Sequence, residues 1–315
     1  MKLSEKMFEQ NIEFKAMGSP CAFHVFHEDY QNLNNAVSLA KQEVQRLEKK
    51  YSRYLTDSVL SNINQSAGKG LIQVDSETSG LLNYARMCFE QSKGVFDITS
   101  GVFRSIWTFK CKEHPIVPTE NSIKHTLEYV GFDKLHWDGE TISLPLGMEI
   151  DFGGIVKEYA ADRAKQIFLQ QGIENGLVDL GGDMAFMGPK PNNQPWLVGI
   201  RHAEKNKEAI CTLQVSSGAI ATSGYYERYF MFEGKRYGHM VNAKTGWPVT
   251  EVASVSVLSE SCLVCGSMAS IAMLKQAEGL SWLQQEKAAF VLQDQTGKVF
   301  DSYSALHGQS HLKTA

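Results

Sequence analysis

The stretch IDFGGIVKEYAADRA, residues 150–164, sets Asp151 ahead of the glycine pair Gly153–Gly154 and places Lys157 early in a helical pattern. Glycines let a ligand approach the main chain closely, and the unpaired N–H groups at a helix start attract anions. Lys157 would add a compact charge to a phosphate or pyrophosphate. A tight turn before an ordinary helix explains the same residues equally well, because neither the dinucleotide G-x-G-x-x-G nor the P-loop pattern is present. DLGGDM, residues 179–184, puts Asp179 and Asp183 around a second glycine pair, as a plain hairpin or as part of a site. GVFDITSG, residues 94–101, holds Asp97 among apolar neighbours. A carboxylate there needs donors, either protein N–H groups or the amide edge of a ligand. GKRYGHMVNAKTGWP, residues 234–248, carries His239, whose imidazole can exchange a proton near neutral pH. Taken singly, a histidine in a strand is more often structural than catalytic.

The elements that must hold these groups follow from periodicity. Loose alternation around CAFHVF predicts a strand at 20–26. Val37, Ala40, Val44 and Leu47 recur at helical spacing, which predicts an amphipathic helix over 32–51 entered through asparagines. SRYLTDSVLSNINQS reads as a short helix or turn rich in caps, and 78–92 as a second amphipathic helix ending near Lys93-Gly94. TISLPLGMEIDF suggests a hairpin feeding the glycine pair, and the helix behind that pair runs to Gly172. ENGLVDLGGDMAFMG predicts two strands turning at Gly181-Gly182. Four further strand-like stretches lie between 192 and 260, with turns at Glu233-Gly234 and at Gly246 to Pro248. An apolar helix over 261–275 is followed by helix, strand, turn and strand over 280–303. The expected class is α+β, with helices packed on a mixed, mostly antiparallel sheet.

The bulk numbers narrow the field. The 315 residues can bury a substantial core, and a formal charge of −4 speaks against a dedicated nucleic-acid surface. No window of eighteen apolar residues occurs, so no membrane span is expected. The first residues show neither a hydrophobic leader nor a lipid-acceptor cysteine, which predicts a cytoplasmic protein, or a periplasmic one if a leader was removed. Six sparse cysteines suggest reduced thiols. The lone C-x-x-C of Cys262 and Cys265 is expected to pack a buried helix rather than hold zinc.

In their order along the chain, these pieces resemble the ApbE family, the FAD:protein FMN transferases. The matching stretches are MGSPC (17–21), YSRYLTDSVLSNIN (51–64), GVFDITSG, IDFGGIVKEYAAD, GLVDLGGDM, GAIATSGYYERYF and GKRYGHMVNAKTGWPV. The resemblance implies one ApbE-like domain over 1–315 that cleaves FAD with Mg²⁺ and joins FMN through a phosphoester to a threonine or serine of an acceptor protein. By the same resemblance, Met17 and Tyr54 match family positions contacting FAD, as do Val95, Phe96, Asp97, Asp151 and Lys157. The carbonyl of Gly154 matches a metal ligand. His239 matches the histidine thought to assist deprotonation of the acceptor hydroxyl.

The chain departs from the family at the remaining metal ligands. The family carries a late-helix pattern like D-A-x-x-T, in which aspartate and threonine share one helical face. Here SCLVCGSMASIAMLK puts Gly266 at the aspartate and Ser270 at the threonine, and a one-residue shift would put Cys265 at the aspartate. Mg²⁺ favours hard oxygen ligands, so the loss leaves the ion weakly held. Asn242 stands where aspartate is usual, and Glu158 where glycine is commoner. Three outcomes follow: a working transferase, an FAD-binding protein without transfer chemistry, or a pyrophosphatase releasing FMN and AMP. The retained flavin motifs and His239 favour the transferase. Family acceptors carry a motif like D-G-x-[ST]-G-A-T, and SSGAIAT at 216–222 is a family-internal match, so self-flavinylation is not expected.

Overall fold

The computed structural model describes residues 7–109, 115–205, 208–226 and 228–302. The strands are β1 (Phe8–Ala16), β2 (Ser19–His27), β3 (Ile72–Gln73), β4 (His136–Trp137), β5 (Thr141–Ser143), β6 (Asn175–Leu180), β7 (Asp183–Gly188) and β8 (Trp196–Arg201). They continue as β9 (Ala209–Val215), β10 (Gly218–Gly224), β11 (Tyr229–Phe232), β12 (Lys235–Gly238), β13 (Val252–Ser259), β14 (Ala289–Asp294) and β15 (Val299–Asp301). The helices are α1 (Tyr30–Lys50), α2 (Val59–Gln65), α3 (Ser76–Ser92), α4 (Glu120–Leu127), α5 (Val156–Gln170), α6 (Cys262–Lys275) and α7 (Gly279–Gln285), with a 3-10 helix at Ile98–Ser105.

Eight strands form the principal sheet in the order β1-β2-β6-β7-β10-β13-β14-β15, antiparallel at every pairing. Alternation along each strand divides its side chains between two faces. Ala219, Ala221, Val255 and Val257 face a core shared with α1, α5 and α6. Ile220, Phe186 and Val291 face the opposite way, under the β8–β9 ribbon with its Trp196, Val198 and Leu213. A third cluster joins Val102, Phe103 and Trp107 to Phe230 and Ala243, and seats the β11–β12 hairpin. Trp107 also donates through its indole N–H to the Gly246 carbonyl at 2.9 Å.

Local chemistry explains the helices. The predicted stripe on α1 is buried at Leu33, Ala36, Val37, Ala40, Val44 and Leu47, and Asp29, rather than an asparagine, caps its start. Lys93 in a left-handed conformation, followed by Gly94, ends α3 where expected. Helix α6 is buried on nearly every side, and Cys262 and Cys265 pack within it as free thiols. The expected hairpin at TISLPLGMEIDF does not form. Only Thr141–Ser143 is strand, because Pro145 opens a turn whose carbonyl accepts from the Met148 N–H at 3.1 Å. No helix among the described residues is long and apolar enough to cross a membrane.

Candidate functional site

The residues before α5 form the hub. The Asp151 N–H donates to the Ile98 carbonyl at 2.8 Å, and its carboxylate accepts from the Gly153 N–H at 2.9 Å while pairing with Arg53. Arg53 also reaches the Tyr54 hydroxyl at 3.3 Å, and the Tyr54 ring is two-thirds exposed, at 66%. A methyl group on Gly154 would lie 3.3 Å from the Phe96 ring, so the bare residue lets GVFD pack on the helix entry. Helix α5 has no side-chain cap, and the N–H groups of Ile155 and Val156 at its start both donate to the Phe152 carbonyl at 2.9 Å.

Around this hub the other motifs interlock. Lys157 pairs with Asp183 and lies 3.3 Å from the Leu180 carbonyl, which joins α5 to the DLGGDM turn. Asp183 is buried, and its second oxygen accepts from the Thr222 N–H at 3.1 Å, on β10. One residue on, Ser223 shares a hydrogen bond of 3.0 Å with Ser270 of α6. Cys21 pairs with Leu180 in register, so the Met17–Gly18 turn lies at the same end of the sheet as the Gly181–Gly182 turn. Met17 adopts φ 53°, and its N–H donates to Glu48 at 2.5 Å. Val95 accepts from the Ala243 N–H, which brings GVFD against the loop that follows His239. Contacts thus join Tyr54, Phe96, Asp151, Gly154 and Lys157 around the start of α5, while Met17, Ser270 and His239 are tied to it only through neighbouring residues.

Two members hold distinct electrostatic states. Asp97 is buried, and both of its oxygens are taken by protein donors: Thr99 N–H at 2.8 Å and Oγ1 at 2.7 Å, and Phe132 N–H at 2.9 Å. Burial pushes its carboxyl up, and those donors oppose the shift only in part. Of the two donor sources open at the sequence level, the protein supplies this one. His239 lies just past β12, not within a strand, with its N–H on the Arg228 carbonyl at 2.9 Å. The residue keeps an exposed face while protein atoms crowd the ring. Desolvation, then the charge of Arg228, pushes the imidazole down to about 4.

Comparison with known proteins decides the lineage. The ApbE family profile matches residues 17–292. The chain belongs to the ApbE family. The FAD:protein FMN transferase of Treponema pallidum is 31% identical, over 72% of this chain and 70% of that one. The Vibrio cholerae FAD:protein FMN transferase is 27% identical, over 81% and 78%. The crystal structure of the ApbE protein of Thermotoga maritima superposes with a TM-score of 0.86 at 28% identity, covering 95% of this chain and 98% of that one.

Against the ApbE pattern, the departures acquire physical reasons. Asn242 is buried; its amide N–H₂ donates to the Leu274 carbonyl at 3.0 Å and its oxygen accepts from the Lys244 N–H at 2.9 Å. An aspartate could make only the second bond. At Gly266, a Cβ would meet Glu158 Cγ at 2.4 Å and Oε1 at 3.2 Å, so the glutamate already fills that space. Glu158 is buried, and its Oε2 has no hydrogen-bond partner. Among the described residues, no three His, Cys, Asp or Glu side chains converge as a self-sufficient metal site. The donors near α5 and α6 are hard oxygens, the type Mg²⁺ accepts when substrate phosphates complete its shell. Sequence reasoning passed over Arg53 and Arg228, whose only signals were their places beside Tyr54 and within YYERYF.

Proposed function

We propose that this protein is an FAD:protein FMN transferase, acting on FAD and on a threonine or serine hydroxyl of an acceptor protein. The observation that supports this reading is the gathering at the start of α5 of Arg53, paired with Asp151, of Lys157 and of the glycine pair. Tyr54 and Met17 would flank the flavin, with Val95 and Phe96 lining the pocket behind. Asp97 and Asp151 fix that wall through the hydrogen bonds they already make. Lys157 would face the pyrophosphate. Gly154 and Ser270 would offer oxygens to Mg²⁺, which when bound neutralises charge on the pyrophosphate.

The reaction requires the acceptor oxygen to attack the FMN phosphorus as the bond to AMP breaks, with the hydroxyl proton passing to His239. Around neutral pH, an imidazole held at about 4 is unprotonated and free to accept. The arrival of an anionic pyrophosphate stabilises the imidazolium and raises its basicity toward working pH.

Incubation with FAD, Mg²⁺ and a carrier bearing D-G-x-[ST]-G-A-T, followed by intact-mass spectrometry, tests this reading. An FMN adduct on the carrier is expected, and His239→Ala should slow its formation by about 10²–10⁴-fold while FAD still binds. Absence of any adduct overturns the reading. AMP with free FMN assigns the pyrophosphatase activity instead.

A further inference from the structure

The carboxylate that the family places on α6 is missing here, but the space is not empty. We propose that Glu158 supplies it from the facing helix, so that α5 rather than α6 delivers the acidic oxygen to Mg²⁺. The proposal rests on the transferase reading of the site.

Four observations carry it. Glu158 and Gly266 are mutually exclusive in space: a side chain on Gly266 would begin 2.4 Å from Glu158 Cγ and 3.0 Å from Cδ. The Glu158 side chain retains only 9% of its exposure, and Oε2 has no partner. A buried carboxylate oxygen left so is a costly state that a bound cation relieves. Charge points the same way, because Glu158 and the buried Asp183 share one cation, Lys157, with Glu158 Oε1 at 3.4 Å from Nζ. Finally, the two helices that carry the donors pack against each other. Glu158 stands four residues after Gly154, Ser270 four after Gly266, and Asp162 clamps α6 to α5 by accepting from Ser261 Oγ, Cys262 N–H and Leu263 N–H at 2.7–3.0 Å. A glycine on one helix and a glutamate on the other thus exchange the places that the family pattern gives them.

The test is a carboxylate exchange read by metal binding rather than by turnover. Mn²⁺ is titrated into FAD-loaded protein, and the free ion is followed by its electron paramagnetic resonance signal. Wild type should bind about one Mn²⁺ per FAD. Glu158→Gln, which keeps the shape, should weaken binding by about tenfold or more. The metal-free Glu158→Gln protein should melt no lower than wild type, because it loses a buried carboxylate oxygen that has no hydrogen-bond partner. The double variant Glu158→Gly, Gly266→Asp should bind within about threefold of wild type, the carboxylate having returned to α6. Undiminished Mn²⁺ binding by Glu158→Gln overturns the proposal while leaving the transferase intact, provided wild type still modifies the carrier. A wild-type chain that binds no FAD overturns both.

Discussion

Asn242 shows how one atom decides a position. Its N–H₂ reaches the Leu274 carbonyl near the end of α6, inside a buried turn that also carries the loop of His239. Asn242→Asp replaces that donor by an acceptor facing an acceptor, and should lower stability by about 1–3 kcal/mol at pH 7, measured by urea unfolding. The loss should shrink in acid as the new carboxyl protonates. His239 gives the opposite lesson, since its type and neighbours were readable but its state was not. The depression of its imidazole comes from crowding and from Arg228, which is eleven positions away along the chain and adjacent only once β11 and β12 have paired. For the same reason the orphan oxygen of Glu158 was invisible: the sequence shows a glutamate and a distant glycine, and only packing sets them face to face.

At the scale of elements, periodicity was a good guide wherever one face is buried. The stripe on α1, the paired strands at DLGGDM and the apolar run of α6 all lie within a few residues of their expected bounds. It failed where burial is slight or a turn intervenes. Strand β1 went unread because most of its side chains face solvent along a sheet edge. The Ile98–Ser105 helix is short, and its cap is Asp97, a residue whose donors the sequence left open between protein and ligand. Helix α5 also acts as a clamp that its own sequence did not announce. Asp162 adds three bonds to the start of α6, beyond the cap from Ser261. Asp162→Ala should therefore cost about 1–2 kcal/mol, seen as a lower thermal midpoint. It should also weaken metal binding more than FAD binding, because it frees α6 from α5.

Across the whole molecule, charge ties the helical layer together behind the site. Glu77 of α3 receives Arg46 and Lys50 of α1, and the Tyr159 hydroxyl of α5 at 3.2 Å. Burial alone would raise its carboxyl, but the hydrogen bonds from Arg46 and Lys50 outweigh that and hold it at about 2, below the ordinary 4.5. A depressed native value stabilises the fold above pH 4.5, and this contribution fades as pH falls toward 2. Glu77→Gln should lower stability by about 1–2 kcal/mol at pH 7 after discounting for solvent screening, with the gap closing in acid denaturation curves below pH 4. The sheet order has a different consequence. Strand β2 lies between β1 and β6, so the N-terminal hairpin leaves the ribosome long before its inner neighbour is made. Such distant pairing folds slowly. The candidate site, which draws Ser270 from α6, therefore comes into being only near the end of translation, and a nascent chain halted before α6 would expose an unpaired strand edge to chaperones.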